Sequence, residues 1–529
     1  MAAKDGGGAA EDTRKHLTAV AVAFTCYSLV CGGRVGMEAA GGSAGAFAAR
    51  AGLAAVAVLW ALPQALMTAE LATAIPTNGG SIDWVRRALG PVVGLCNAAS
   101  LTFNQLFDLP LYPSLMAATL SQVVDMTPGA VAALQVSVVV VVVALNVVGM
   151  DAVASSATAL TLFIMVPFLA LPVVAAARSS DFEWHALAPA ATIPDWQAQL
   201  PVFVSGILWN MQGWNGVGNL AAEIRAPQRS FPAGVTIAVA LVTASYAYSI
   251  LFGTVLHPDL ADWEDGYFVN VASQVASWLG VWSTIAAAVA QFSTCLSSMA
   301  TYARSLQAAA LAGYIPVPLL ARDATRWRTP VPAILLLGAA TLGLMYVDLS
   351  SLILLDTTFS NISTVYTTIA FLVLRRAEPA MPRPFIVAGG WRGAAAAAVP
   401  VLCLAIFAFY AVGSTAYALA VPLGANALIA GVAYAAMRFC PRRVPCLSHP
   451  TDPTGGDALP AYGDNTPLLS PSDTAAVHPL LPGATGASKM APLVHAPSEA
   501  AFPVTIMRLS HASRLNSMEV DDGKPLHTV

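Results

Sequence analysis

Residues Phe203 to Glu223 read FVSGILWNMQGWNGVGNLAAE, an apolar helix that stops and starts again. Val204, Ile207 and Leu208 give the first half its apolar face. Gly213, Asn215, Gly216, Gly218 and Asn219 interrupt it, and helix formers resume through Ala222. At bilayer depth such an interruption is expensive, because freed backbone N–H and C=O groups need protein, water or ligand to satisfy them. Breaks of this kind line cavities; the other use of membrane glycines is close helix packing. The Asn and Gln residues clustered in the same stretch favour a cavity. A second interruption, Cys31-Gly-Gly-Arg-Val-Gly-Met-Glu38, falls in the first hydrophobic segment. Two broken segments at corresponding places in two halves of a chain mark a site near the membrane midplane.

The rest of the chain places these breaks in a bilayer. Of 529 residues, 57% are hydrophobic and 10% charged, so this is an all-α integral membrane protein rather than a soluble globule. No basic stripe with interleaved aromatics is present, which excludes a nucleic-acid partner and leaves lipid as the bulk surroundings. The seven cysteines are scattered and give neither a metal-ligand spacing nor a disulfide framework. Residues 1–16 form a polar cytoplasmic segment leading into a retained first span. A helix of about 20 apolar residues crosses the hydrocarbon. Twelve such segments are expected within 17–438, at roughly 17–40, 47–75, 91–124, 129–149, 153–177, 201–223, 231–256, 268–309, 331–347, 350–375, 394–417 and 420–438. The eighth is too long for a simple span. Its start is expected along the outer surface, and Ala308 to Leu320 as an interfacial helix inside.

Arginine placement orients the chain. Alternate connections carry Arg14, Lys15, Arg86, Arg87, Arg225, Arg229, Arg322, Arg326, Arg328, Arg375, Arg376, Arg383, Arg392, Arg438, Arg442 and Arg443, against only Arg50 and Arg178 on the other side. The positive-inside rule puts both termini in the cytoplasm. Breaks in segments one and six then suggest two inverted repeats, segments 1–5 and 6–10, with two further helices. Residues 439–529 turn to Pro, Ser, Thr, Gly and Ala and are read as a disordered cytoplasmic tail. In that tail Asp464-Asn-Thr-Pro-Leu-Leu469 fits an acidic dileucine signal for trafficking adaptors, or is an accidental match. Cys440 and Cys446 are juxtamembrane, either palmitoylated or free.

Charged side chains inside apolar segments are functional candidates, since each costs about 2.5–3.5 kcal/mol at a helix centre. Here they are nearly all acidic: Glu38, Glu70, Asp108, Glu223 and, nearer the outer end of segment ten, Asp356, with Arg34 as the basic exception. Carboxylates in a buried cavity favour a cation, and two set apart suit a diamine or longer polyamine. A lone buried carboxylate serves equally as a proton carrier. Glu70 and Glu223 lie near cytoplasmic ends, within reach of Arg86, Arg87, Arg225 or Arg229, and read as gating pairs. Glu38 stands one turn after Arg34 and either pairs with it or faces the substrate. Asp108 lies beside Pro110 and Pro113, where a kink exposes carbonyls. Tyr112, Trp209 and Trp214 are candidates for stacking and cation–π contact, or for packing alone. Asn210 and Asn215 offer neutral hydrogen bonds. No nucleophile with a paired base appears at membrane depth, so an enzyme is not indicated.

Taken together, Gly32-Gly33-x-x-Gly36-x-Glu38, Thr68-Ala-Glu-Leu-Ala-Thr-Ala with Asn78-Gly-Gly80, Asp108-x-x-Leu-Tyr-Pro113, Trp209-Asn210, Trp214 and Leu220-Ala-x-Glu223 resemble the amino acid/polyamine/organocation transporter superfamily. Within it they are most similar to the polyamine-uptake branch of plants and kinetoplastids, over about Leu17 to Arg438. The resemblance implies a five-plus-five inverted-repeat, LeuT-like core with discontinuous helices 1 and 6, and alternating access. It also implies uptake of polyamines or amino acids on a cation gradient, commonly of protons, at the plasma membrane or in endosomal and vacuolar compartments. It implies that Gly32, Gly33, Gly36, Glu38, Asp108, Tyr112, Trp209, Asn210, Trp214 and Asn215 line the substrate path. Arg34, Glu70 and Glu223 then serve gating or coupling. The chain departs from that branch at Arg34, Ala39 and Asn215, where the branch has a proline, an acid and an Asp. Arg34 is open to a second use, holding the carboxylate of an amino acid substrate. No cofactor is implied. The coupling ion is expected to be a proton; Ser293, Thr294, Ser297 and Ser298 keep sodium open as the other reading, and segment five has no lysine to replace an ion. A nutrient sensor signalling through the tail is the alternative of a different class.

Overall fold

The computed structural model describes residues 17–31, 37–121, 123–178, 182–187, 203–204, 206–224, 226–257, 263, 267–324, 326–327, 329–412 and 416–439. Expectations about Gly32, Gly33, Arg34, Gly36, Arg225, residues 1–16 and the tail with Asp464–Leu469 lie outside the described residues. In chain order the helices are α1 (Ala19–Val30), α2 (Met37–Val56), α3 (Leu62–Ala74), α4 (Ser81–Leu89), α5 (Pro91–Asp108), α6 (Leu111–Ser121), α7 (Pro128–Val148) and α8 (Met150–Ala177). They continue as α9 (Pro227–Leu256), α10 (Tyr267–Val275), α11 (Ser277–Leu311), α12 (Val331–Leu344), α13 (Leu349–Ala377), α14 (Gly390–Val412) and α15 (Ala416–Phe439). A π-helical turn, Ala57–Ala61, joins α2 to α3, and a 3-10 turn, Gly216–Glu223, precedes α9. Among the described residues the one strand-like contact is an isolated bridge between Leu17 and Ile224.

Local chemistry sets the ends of these helices. Thr127 caps α7 by accepting from the Ala130 N–H, with Pro128 in the first turn where its missing N–H costs nothing. Asp348 caps α13 by accepting from the Ser351 N–H at 3.0 Å. At Leu109-Pro110 the helix stops after Asp108 and resumes at Leu111, as expected for a ring that clashes with the preceding turn. The expected third segment is therefore two helices, α5 and α6.

Among the described residues eight stretches are long and apolar enough to cross a membrane: Phe47–Ala74, Pro128–Val148, Met150–Ala177, Pro227–Leu256, Ser277–Leu311, Ser351–Ala377, Gly390–Ala411 and Tyr417–Met437. α1 and α12 are shorter apolar helices. The expected eighth segment divides in two, and its far end needs correction. Its start is a separate helix, α10, divided from α11 at Ala276, whose backbone is extended. Its far end continues as α11 to Leu311 instead of forming an interfacial helix. At 1.5 Å per residue α11 is about 50 Å long, well beyond the hydrocarbon thickness.

Burial separates the centre of the bundle from its lipid face. Within its most apolar window, 72% of α11 and of α13 is buried, against 22% of α15 and 28% of α7. α13 packs on α5, α4 and α14, while α11 packs on α8, α6 and α1. The polar residues of α13, from Asp356 through Ser360, Asn361 and Thr364 to Thr368, thus point into protein rather than lipid.

Candidate functional site

The interruption at 211–215 is real in the backbone. Helical residues 206–210 end at Met211, Gly213 adopts φ +96°, and the chain re-enters a 3-10 turn at Gly216. Only glycine takes that φ without strain. The freed groups are partly recaptured by turns, Gly216 N–H to Gly213 C=O at 3.0 Å and Gly218 N–H to Asn215 C=O at 3.0 Å. A second glycine pair locks this turn to the loop before α4. Gly80 has φ +51°, a Cβ there would strike Asn219, and a Cβ at Gly218 would strike the indole of Trp84.

Beside the break lies a cleft. Leu29 and Val30 of α1, Asn104, Gln105 and Asp108 of α5, Tyr112 of α6 and Thr294 and Tyr302 of α11 line it, together with Trp209, Asn210, Gln212, Asn215 and Asn219 from the break. Among the described residues Asp108 is its one charged lining side chain. Both Asp108 oxygens accept from the Tyr112 hydroxyl, at 2.8 and 2.7 Å, and Oδ2 also accepts from Tyr302 at 2.7 Å. Asp108 ends α5 and Tyr112 opens α6, so the two side chains meet across the break at Leu109-Pro110. Asn210 accepts from the Tyr246 hydroxyl at 2.9 Å.

The structure brings in Asp356, which the sequence reading left aside at the outer end of its segment. Fully buried on α13, it accepts from Asn104 Nδ2 and, at 3.0 Å, from Gln212 Nε2, and it interacts electrostatically with Asp108. Glu38, by contrast, is buried in the first turn of α2 outside the cleft lining, and its charge acts on Tyr246. Trp214 takes the packing alternative: its indole N–H donates to the Met211 carbonyl at 2.9 Å, and the ring is wholly buried in the core. Trp209 does reach the cleft. Ser293 donates to Ser28 at 3.0 Å, Ser28 lies 3.1 Å from Thr161, and Thr294 donates to the Cys31 carbonyl at 3.4 Å. These are neutral oxygens where the first helix breaks. No group of metal-binding residues occurs among the described residues.

At the arginine-rich end the acids pair, though with other partners than expected. Glu70 meets Arg375 at 2.7 Å and Arg383 at 3.3 Å, not Arg86 or Arg87. Glu223 pairs with Arg304 of α11 and accepts from Asn78 Nδ2 at 3.3 Å, whose Oδ1 in turn accepts from the Ala222 N–H. Arg304 was the missed cation, since one Arg among Ala and Ser reads as a helix end. In the first turn of α4, burial lifts the Asp83 carboxyl above its ordinary value, although Thr77 donates to it at 2.6 Å. The Glu223 knot ties the loop at Asn78, the broken helix and α11 together below the cleft. Glu223→Gln should loosen it. In an Asn219→Cys background, labelling by a thiol reagent applied from the cytoplasmic side should speed up, with protein amount unchanged; identical labelling rates would remove the knot from gating.

Comparison with known proteins supplies the remaining finding. A family model described as amino acid permease matches residues 17–438. The chain is 29% identical over 428 residues to polyamine transporter PUT1 of Oryza sativa subsp. japonica, covering 80% of this chain and 79% of that one. It is 27% identical over 401 residues to polyamine transporter RMV1 of Arabidopsis thaliana, covering 75% and 81%. A shorter similarity, 27% over 177 residues, links it to Asc-type amino acid transporter 1 of Homo sapiens, covering 33% and 34%.

Proposed function

The chain belongs to the amino acid permease family, and from that membership we propose that it imports polyamines of the putrescine and spermidine kind by alternating access, driven by protons. The transporter works through a twelve-span, five-plus-five core with discontinuous first and sixth helices, at the plasma membrane, with both termini in the cytoplasm and the Asp464–Leu469 signal read by adaptors. The observation that supports this most is the charge of the cleft: Asp108 faces it, and no cationic side chain lines it among the described residues. Such a lining attracts an ammonium and repels a free carboxylate.

In this mechanism one ammonium of the substrate binds Asp108 between the Tyr112 and Tyr302 hydroxyls. Trp209 packs on the methylenes and contributes a cation–π contact of about 0.5–2 kcal/mol. Asn210 and Asn215 accept from further amines. Occupancy then favours release of the Glu223–Arg304 knot and exit to the cytoplasm. The plant relatives carry the name polyamine transporter, which agrees with this reading, whereas the Asc-type relative favours an amino acid permease of the same fold.

Competition decides between them. In transport-deficient cells, labelled putrescine uptake should saturate, fall with excess spermidine, ignore excess leucine and arginine, collapse with a protonophore and survive replacement of sodium. Saturable leucine uptake indifferent to putrescine would establish the amino acid reading instead. Truncation after Cys446 should leave uptake per molecule intact; loss of a signalling output with transport absent throughout would make the protein a sensor.

A further inference from the structure

Asp356 is placed in a way that substrate contact does not explain. Its carboxylate is fully buried and outside the cleft lining, yet the residues that donate to it, Asn104, Gln212 and Trp209, do line the cleft. Two neutral amides and an indole N–H therefore stand between Asp356 and the substrate space. The titratable groups that face it are Asp108 from α5, Tyr112 from α6 and Tyr302 from α11, and the broken helix adds the neutral Gln212 and Trp209. The buried guanidinium groups that interact with acids are committed elsewhere, Arg304 to Glu223 and Arg375 and Arg383 to Glu70. Asp356 and Asp108 are thus two interacting buried carboxyl groups surrounded, among the described residues, by neutral donors.

Two carboxylates at this depth repel, and only a cation offsets them. A substrate ammonium reaches Asp108 through the cleft. Behind the amides, Asp356 is open to something much smaller, and a proton moving along hydroxyls and water fits. We propose that Asp356 is the coupling-proton site, loading a proton from the outer side as Asp108 receives substrate and releasing it inward as substrate leaves. The proposal rests on the proton-driven reading above. One O–H bond forms at the carboxylate on loading and breaks on release, and no other covalent bond changes. Gln212 supplies the link to movement, because it immediately precedes Gly213: the ionised carboxylate accepts from Gln212 and holds the break, whereas the acid form weakens that hold.

The test uses the full chain purified into proteoliposomes and labelled putrescine, or leucine if that is what the wild type exchanges. Counterflow at equal pH reports binding and alternation, and uptake under an inside-alkaline gradient reports coupling. Asp356→Asn should keep counterflow within about threefold of wild type and lose about tenfold or more of gradient-driven uptake, as a lost coupling free energy predicts. Asp356→Glu, which retains a carboxyl, should restore gradient-driven uptake with its pH profile displaced. A gradient-driven wild type matched by Asp356→Asn overturns the proposal and leaves proton coupling standing. A wild type indifferent to the gradient overturns both. Loss of counterflow in a well-folded Asp356→Asn protein would assign the residue to substrate and also overturn it. If the amide variant does not reach the membrane, an unchanged pH profile in Asp356→Glu is the overturning result.

Discussion

Asp108→Asn should lower putrescine uptake at low substrate concentration by roughly a hundredfold, the equivalent of about 3 kcal/mol for a truncated, desolvated charge pair. The asparagine preserves shape, and its amide still reaches Tyr112 and Tyr302, one as acceptor and one as donor, so the kink at Pro110 should hold. What disappears is the charge. An ammonium entering a low-dielectric cleft has then lost its hydration without gaining an anion. Glu38→Gln is the internal comparison. Because Glu38 lies outside the cleft lining, its amide should cost uptake much less. Uptake assays on both variants, normalised to surface protein, check this. Unchanged kinetics for Asp108→Asn would take the residue out of the mechanism, and equal losses in the two variants would show that both acids contact substrate.

The contrast between these two acids also shows what a sequence can and cannot say here. Features confined to one stretch were legible. Glycines and amides at 213–219 implied a broken helix, and Pro110 implied the kink beside Asp108. Family membership was likewise written in local motifs. Features that depend on which helices touch were not legible. Asp356 joins the site only because α13 packs on α5, bringing it to Asn104 across some 250 positions of chain. One signal for it was available: Thr357, Thr358, Ser360, Asn361, Ser363, Thr364, Thr367 and Thr368 follow it in an otherwise apolar segment, and so much polarity at membrane depth implies a protein-facing helix. The direction of a side chain is equally hidden, which is why Trp214, beside the glycines, turned into the core while Trp209 reached the cleft.

Glu70→Ala should be the most damaging change to the fold, with a loss of about 3–5 kcal/mol, the range seen when one member of a buried ion pair is removed. Glu70 is 1% exposed and holds two guanidinium groups, Arg375 and Arg383, while also accepting the Val387 N–H at 2.8 Å. A buried ion pair is by itself weak evidence of stability, because the desolvation of both partners offsets much of their attraction. Removing one partner is different, since the desolvation remains and the attraction is gone. Arg383 keeps bonds to the Leu374, Glu378 and Met381 carbonyls, whereas Arg375 keeps the Val387 carbonyl alone. Arg375 should therefore dominate the cost. The double variant Glu70→Ala/Arg375→Met should recover part of the loss, and the cycle of single and double variants isolates that coupling. Melting of purified protein in detergent is the readout, with surface abundance as the cellular one. The pair also joins α3 to α13, the helix that carries Asp356, so its rupture should reach the cleft: counterflow should fall in the surviving folded fraction as well. A Glu70→Ala melting curve superimposed on wild type would mean that these charges are hydrated at the arginine-rich end, and that they serve opening and closing rather than holding the helices together.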